Sequence, residues 1–128
     1  MADELPGFDQ DDLSAAIERL PAEDLDALPF GAIRLNADGD VLVFSGSEKR
    51  LSGYGDRPAL GRHFFTQIAP CMDKSSFHNR IERALAAGNA DIEFGWIGDF
   101  GSAERALRVR VVPASGGGCW IFLKRETA

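Results

Sequence analysis

The sequence predicts an α+β domain: a five-stranded antiparallel sheet with a helical insert over one face and an N-terminal helical cap. Two apolar segments joined by a turn come first, helical patterns follow, and three alternating segments come last. At 128 residues the chain has the length of one compact domain, which buries roughly two-thirds of its unfolded surface. We therefore expect one domain, with a cap over residues 1–28 and a core over residues 29–128.

Two short amphipathic patterns predict the cap. Leu13, Ile17 and Leu20 recur at the spacing of one helical face, and a similar pattern covers residues 22–28. Both apolar faces are narrow, so we expect the helices to dock on the core with low local stability. The first dozen residues include five acidic side chains, a composition that predicts a mobile segment.

The first hairpin is predicted from residues 30–35 and 41–44. Between these apolar runs lie residues 36–40, turn residues among which Gly39 can adopt a positive φ. Because residues 41–44 are apolar without alternation, we expect the second strand to be covered on both faces. Residues 45–61 are polar and glycine-rich, which predicts short helical turns and loops.

The longest helix is predicted over residues 75–88. Ser75 or Ser76 suits its N-cap, Gly88 suits its end, and apolar residues fall on one face between them. Alternating patterns then predict a third strand at 92–96, a fourth at 107–111 and a fifth at 120–124.

Charge and composition argue against several classes of protein. The net charge of −6 argues against a nucleic-acid surface, and the basic pairs Lys49-Arg50 and Lys124-Arg125 are typical of solvated edges. No apolar segment is long enough for a membrane span, and the acidic start is unlike a signal peptide, so we expect a cytoplasmic protein. Neither Cys71 nor Cys119 has a second ligand at metal-site spacing, so we expect no metal and no disulfide framework.

Cys71 is the candidate functional residue. By composition alone, an unbridged cysteine is typical of a buried core position. The segment of Phe64-Phe65, five residues and then Cys71 nevertheless resembles the chromophore-attachment segment of the photoactive yellow protein family, which are blue-light receptors of the PAS fold. The resemblance runs from about Leu25 to Arg125 and includes Glu48, 23 residues before Cys71.

The resemblance implies a cofactor and a function. In this family the cysteine carries 4-hydroxycinnamic acid (p-coumaric acid) as a thioester, so we expect that group on Cys71. The implied pocket residues are Cys71, Glu48, Phe44, Ser52, Tyr54, Phe64, Met72 and Phe100. Blue light is expected to cause trans-to-cis isomerisation, after which Glu48 loses its proton and the cap partly unfolds. The chain would then be a photoreceptor in sensory transduction, not an enzyme, whose signal a downstream protein reads.

Three positions depart from the family pattern. The family uses a tyrosine and a protonated glutamic acid as donors to the phenolate, but Phe44 stands where the tyrosine would be. Ser52 replaces the usual threonine and keeps its hydroxyl, while Tyr54 replaces an arginine that often covers the pocket. One donor and one positive charge are therefore missing, and Ser52 or an ordered water could replace the donor.

Two alternatives remain open at this stage. The first is a PAS module that binds a metabolite or a partner without photochemistry, with Cys71 inert. The second is a thiol enzyme that uses Cys71 with His63 or His78, which lie eight and seven residues away in sequence. Both alternatives predict a colourless protein.

Overall fold

The structure is a computed structural model that describes residues 7–52, 55, 59–64, 83, 92–97 and 106–125. In chain order the elements are α1 (Leu13–Glu18), α2 (Ala22–Asp26), β1 (Gly31–Leu35), β2 (Val41–Phe44), α3 (Gly46–Ser52), β3 (Ile92–Ile97), β4 (Ala106–Pro113) and β5 (Cys119–Arg125). Arg83 is helical, as predicted, and the rest of the helix expected over residues 75–88 lies outside the described residues. Across the described ranges, no helix is long and apolar enough to cross a bilayer.

Within the described residues, the five strands form one antiparallel sheet in the order β2-β1-β5-β4-β3. The last strand in the sequence is thus the central one, with Ile121 opposite Ile33 of β1 on one side and opposite Val111 of β4 on the other. The predicted five-stranded sheet is confirmed. The order of its strands could not be predicted from the periodicity of the sequence.

The alternation along β5 separates two apolar clusters on opposite faces of the sheet. The cluster on the side of α3, here the α3 face, contains Ile33, Leu35, Val41, Phe44, Ala59, Phe64, Leu107, Val109, Val111, Cys119, Ile121 and Leu123. The cluster under α1 and α2, here the cap face, contains Phe8, Leu13, Ile17, Leu28, Phe30, Ala32, Val112, Ala114, Trp120 and Phe122. Both faces of the sheet are therefore buried, each by a different helical layer.

The start of the chain is more firmly attached than its composition predicts. Phe8 is buried and packs edge-on against Phe30, with 5.7 Å between the ring centroids. The buried Arg110 of β4 donates from Nη1 to the carbonyl oxygens of Phe8 at 2.9 Å and Gln10 at 2.6 Å. Phe8 and Gln10 are thus attached to the sheet, against the expectation of a mobile first dozen, because their carbonyls satisfy a buried guanidinium.

The middle of the second strand is exposed on one face, at Leu42. Leu42 is 49% exposed, whereas Val41 and Phe44 are buried on the α3 face. The register between β1 and β2 shifts between Arg34 and Leu35, which leaves Leu42 without a partner position in the pairing. The expectation that residues 41–44 are covered on both faces is therefore wrong at Leu42, which the bulge turns outward, whereas Val43 packs against the cap face.

Candidate functional site

Glu48 is positioned by the N-terminus of α3. The hydroxyl of Ser45 accepts the backbone N–H of Glu48 at 3.1 Å, as expected of an N-cap residue. Ser45 and Glu48 have the spacing of a capping box, in which the glutamate carboxylate would accept a hydrogen bond from the backbone N–H of the serine. That N–H already donates to the carbonyl of Ala32 at 3.0 Å. The carboxylate of Glu48 instead points to the sheet, where it meets β5.

The same helix is bonded to the segment that precedes the sheet. The carboxylate of Asp26 accepts the N–H of Gly46 at 2.6 Å, and Arg50 donates to the carbonyl of Asp26 at 3.0 Å. The buried hydroxyl of Ser47 lies 2.9 Å from the carbonyl oxygen of Phe30. The two bonds to Asp26 cross the predicted boundary between cap and core, so α2 and the helix that carries Glu48 are joined directly.

Glu48 and Arg125 form a buried ion pair. Oε1 of Glu48 lies 2.6 Å from Nη1 of Arg125, and Oε2 lies 2.9 Å from Nη2. The side chains are 1% and 5% exposed, respectively. Two parallel bonds of this kind are the strongest geometry available to a carboxylate and a guanidinium. Such pairing offsets the large cost of removing both charges from water.

The position of Arg125 corrects the expectation of a solvated basic edge. Arg125 continues the alternation of Cys119, Ile121 and Leu123, so its side chain belongs to the α3 face, whereas Lys124 is exposed. The pairing of Glu48 also differs from what the resemblance implies. The family pattern has a protonated glutamic acid that donates, but here both carboxylate oxygens accept from Arg125.

Gly31 makes room for this ion pair. A Cβ at residue 31 would overlap Oε1 of Glu48 and would lie 3.0 Å from Nη1 of Arg125. Sequence reasoning did not identify Gly31 or Arg125 as site residues. A glycine inside a strand is a signal of close approach by another group, but it does not reveal which group approaches.

Three other predicted pocket residues lie on the same side of the sheet. Phe44 pairs with Ile33, and both belong with Phe64 to the buried cluster of the α3 face. Ser52 is buried near the end of α3 and donates its hydroxyl to the carbonyl of Glu48 at 2.6 Å. A serine has one hydroxyl hydrogen, so Ser52 would have to break this bond to donate to a ligand.

The remaining predicted residues lie outside the described part of the chain. These residues are Cys71, Tyr54, Met72 and Phe100, together with His78 from the thiol-enzyme alternative, and their roles stay predictions. Cys119 is buried in the α3-face cluster, which confirms that it is a packed residue. Burial raises the pKa of Cys119 to about 12, so its thiol stays protonated and unreactive at neutral pH.

The described residues suit an aromatic anion. Phe44 and Phe64 provide apolar surface for a ring, and Arg125 provides a buried positive charge on the same face. The donors differ from those implied by the resemblance, since a phenylalanine at 44 carries no hydroxyl and Glu48 accepts from Arg125. Among the described residues, this face therefore holds an arginine paired with a carboxylate where the resemblance implies a tyrosine and a protonated glutamic acid.

The chain is similar to known proteins over most of its length. Residues 25–125 match a family model described as PAS fold. The photoactive yellow protein of Rhodothalassium salexigens is 32% identical over 123 residues, which cover 95% of this chain and 98% of that protein. The photoactive yellow protein of Halochromatium salexigens is 31% identical over 119 residues, which cover 92% and 95%.

Solved structures give the same result. The photoactive yellow protein domain of the sensor histidine kinase Ppr from Rhodospirillum centenum is 32% identical, with a TM-score of 0.78 over 87% of this chain and 98% of that domain. A PAS domain from Colwellia psychrerythraea is 16% identical, with a TM-score of 0.63 over 83% and 93%, and shares the fold. This chain therefore belongs to the photoactive yellow protein family of PAS-fold photoreceptors.

Proposed function

We propose that the chain is a blue-light photoreceptor that carries 4-hydroxycinnamic acid as a thioester on Cys71. The observation that supports this most strongly is the buried Glu48, held by a charged partner on the face that also presents Phe44 and Phe64. When bound, the 4-hydroxycinnamoyl group supplies absorption of blue light and a trans-to-cis isomerisation. The similarity to two photoactive yellow proteins supports the same assignment.

In this proposal the attachment chemistry belongs to Cys71. Its thiolate attacks the carbonyl carbon of an activated acyl donor, the leaving group departs, and a carbon–sulfur bond forms. The buried rings of Phe44 and Phe64 exclude water, which protects a thioester from hydrolysis. Cys119 takes no part, because burial keeps its thiol protonated.

Signalling in this proposal depends on the proton of Glu48. A change of charge on a carboxyl that is 1% exposed is expensive, so the surrounding structure responds to it. The bonds of α3 to Asp26 carry that response to α2 and the N-terminal segment. In this proposal Glu48 takes up a proton when the anionic ligand is bound beside it, because two neighbouring anions disfavour each other. We expect the cap to loosen when Glu48 gives that proton to the ligand after light, because protonation changes are local events that bias a larger element.

The downstream partner in this proposal is a signalling protein in the cytoplasm. One similar domain is part of a sensor histidine kinase, which supports a signalling role for the domain type. The reader of the signal is expected to recognise the cap or the surface that the cap uncovers.

Reconstitution followed by mass measurement tests the assignment. The parent, Cys71→Ser and Cys119→Ser would each be treated with an activated ester of 4-hydroxycinnamic acid. We expect the parent and Cys119→Ser to gain one acyl group and a visible band, and strong base to remove both. Cys71→Ser should gain neither. Full labelling of Cys71→Ser would contradict the attachment site, and an unlabelled, colourless parent would favour a PAS module without photochemistry.

A further inference from the structure

We propose that Ser115, Trp120 and Arg34 form a carboxylate-binding site on the cap face, in which Glu18 of α1 is the resident ligand. When α1 detaches, the site accepts the carboxylate of another molecule, from a small organic acid or an acidic side chain, and the cap is held open. The site itself does not depend on the pigment. Only its use after light rests on the proposed function.

A single oxygen of Glu18 receives two N–H groups from the sheet. Oε2 lies 3.0 Å from the backbone nitrogen of Ser115 and 2.9 Å from Nε1 of the Trp120 indole. Hydrogen bonds to an ionised acceptor are stronger than bonds between neutral groups, so two donors that meet at one point suit a carboxylate. The other side chains of α1, all in the described part of the chain, make no hydrogen bond to the sheet. This carboxylate is therefore the polar link between α1 and the sheet.

Arg34 adds a positive charge beside the two donors. It lies opposite Trp120 in the pairing of β1 with β5, and its Cζ atom is 5.7 Å from the centroid of the indole. Its Nη2 donates to the carbonyl oxygen of Ser115 at 2.6 Å. Among the described residues, Nε of Arg34 is buried without a hydrogen-bond partner, so the closed cap does not satisfy the whole guanidinium. The guanidinium thus contacts both donor residues and attracts an anion that binds between them.

The turn between β4 and β5 is folded so that Ser115 serves this site. At Gly118 φ is 75°, and a Cβ there would overlap the carbonyl oxygen of Leu35. A glycine is needed for the turn to approach β1 so closely. In this position the carbonyl of Ser115 accepts from Arg34, while its N–H donates to Glu18. The binding groups therefore belong to the sheet and its turn, and they remain in place when α1 leaves.

The site favours the ionised form of its ligand. Burial by itself raises the pKa of Glu18, but the bonds from Ser115 and Trp120 and the charge of Arg34 lower it below its usual value. A carboxylate from another molecule would meet the same donors and the same charge. We therefore expect the site to bind a carboxylate anion and to discriminate against the corresponding neutral amide.

Chemical rescue of Glu18→Ala tests the site in pigment-free protein. The substitution removes a group about the size of acetate and leaves both donors unfilled. We expect sodium acetate to shift the indole N–H resonance of Trp120 saturably toward its position in the parent, whereas acetamide, or sodium chloride at equal ionic strength, should not. Because the chain has two tryptophans, the indole resonance that persists in Trp96→Phe is that of Trp120.

Two proteins with a filled site are the controls for this rescue. The parent keeps the carboxylate of Glu18, and Glu18→Gln keeps an acceptor oxygen at the same place, so neither should respond to acetate. Equal effects of acetate and chloride on Glu18→Ala would overturn the proposal, and so would an equal response of the parent and Glu18→Ala.

Removal of the positive charge tests the role of Arg34. In Glu18→Ala, the additional substitution Arg34→Gln should raise the dissociation constant of acetate by up to about fivefold, because partly exposed charge pairs have modest energies. Arg19→Gln removes an exposed charge at the end of α1 and should leave that constant unchanged. Equal dissociation constants in the two double variants would exclude Arg34 from the site.

Recovery of the pigmented parent after light tests the use of the site. At an acetate concentration equal to its dissociation constant, recovery should be about twofold slower than in sodium chloride, because half of the open sites are occupied when α1 returns. In Glu18→Ala acetate should not slow recovery. Glutamate blocked as its N-acetyl amide represents an acidic side chain. Slowing by both compounds would extend the site to acidic side chains, and slowing by acetate alone would restrict it to small acids.

The two experiments separate the site from the proposed function. Successful rescue with unchanged recovery of the pigmented parent would contradict the use of the site after light. A parent that takes no pigment would contradict the proposed function, whereas rescue of Glu18→Ala by acetate would still establish the carboxylate site.

Discussion

The carboxylate of Glu48 lies in the space where the side chain of residue 31 would begin, so these positions are sterically linked although they belong to α3 and β1. A glycine at 31 is required for as long as Glu48 turns toward Arg125. The backbone of Gly31 is ordinary strand, paired opposite Leu123, so its lack of a side chain, and not its conformational freedom, is what the site uses.

Gly31→Ala should therefore destabilise the protein. The added methyl group meets the carboxyl of Glu48, and overpacking of this kind costs about 1–3 kcal/mol in the free energy of unfolding. Urea unfolding monitored by fluorescence measures the loss. Gly95→Ala is the matched control in a strand, because its nearest atom would be the carbonyl oxygen of Leu107 at 3.9 Å. Equal stabilities of the two variants would show that Glu48 can move away at no cost.

Phe44→Tyr should make the pigmented protein bleach at lower pH. A phenol at this position restores a donor to the phenolate, and a hydrogen bond to a charged group shifts the midpoint by about one to two units. Titration of the visible band measures it, with Phe8→Tyr on the cap face as the control. Unchanged midpoints would mean that Ser52 or a water already supplies the interaction, or that Phe44 does not face the ligand.

Glu18→Gln should reduce stability at neutral pH and have no effect in acid. Burial by itself raises the pKa of Glu18, but bonds from the Ser115 N–H and the Trp120 indole, with the charge of Arg34, outweigh it, so the pKa lies below its usual 4.5. A carboxyl whose pKa is lowered by folding stabilises the fold fully at a pH above its pKa in the unfolded chain. This stabilisation is lost as the pH falls through its pKa in the folded protein.

The expected difference at pH 7 is up to about 1 kcal/mol in the free energy of unfolding, because Glu18 is only half-buried. Urea unfolding of Glu18→Gln and the parent at pH 7 and at pH 3 measures this difference. Glu23→Gln, at an exposed position on α2, provides the control. A difference between Glu18→Gln and the parent that persists unchanged at pH 3 would contradict the assigned role of the carboxylate.

Deletion of the residues before Leu25 should leave pigment binding intact and slow recovery after light. The truncation removes α1 and Phe8 from the cap face, but it keeps Asp26 and its bond to Gly46 at the start of the helix that carries Glu48. Without α1, few contacts of the cap remain to favour the resting state, so the return to that state should be slower. A flash experiment measures recovery. Unchanged kinetics, or loss of the pigment, would show that the cap has another role.

Most elements of the fold could be predicted because they depend on local patterns. The strand at 107–111 follows from simple alternation, and β4 contains it. The exposure of Leu42 could not be predicted, because it results from a bulge that the register with β1 creates. The burial of Glu48 follows from the resemblance and is confirmed, whereas composition alone would place a glutamate beside Lys49 and Arg50 in solvent.

Arg125 escaped prediction because its partner is distant in the chain. The pair with Glu48 joins residues separated by 77 positions, and no periodic pattern reports such a contact. Gly31 escaped for the same reason, since its function is to leave space for a side chain from another element. The contributions of Cys71 and Tyr54 remain predictions, because both lie outside the described residues.

The central position of β5 has a consequence for the order of assembly during synthesis. A ribosome makes β1 and β2 early and β5 last, yet β5 is the strand that joins the β1-β2 hairpin to the β3-β4 hairpin. The two hairpins therefore emerge before their common neighbour. Glu48 cannot pair with the guanidinium of Arg125 until β5 docks. Long-range pairing of this kind folds slowly. Pulsed hydrogen exchange during refolding should show the amides of β1 that face β5 gaining protection together with the amides of β4 that face β5, and earlier protection of either set would contradict this order.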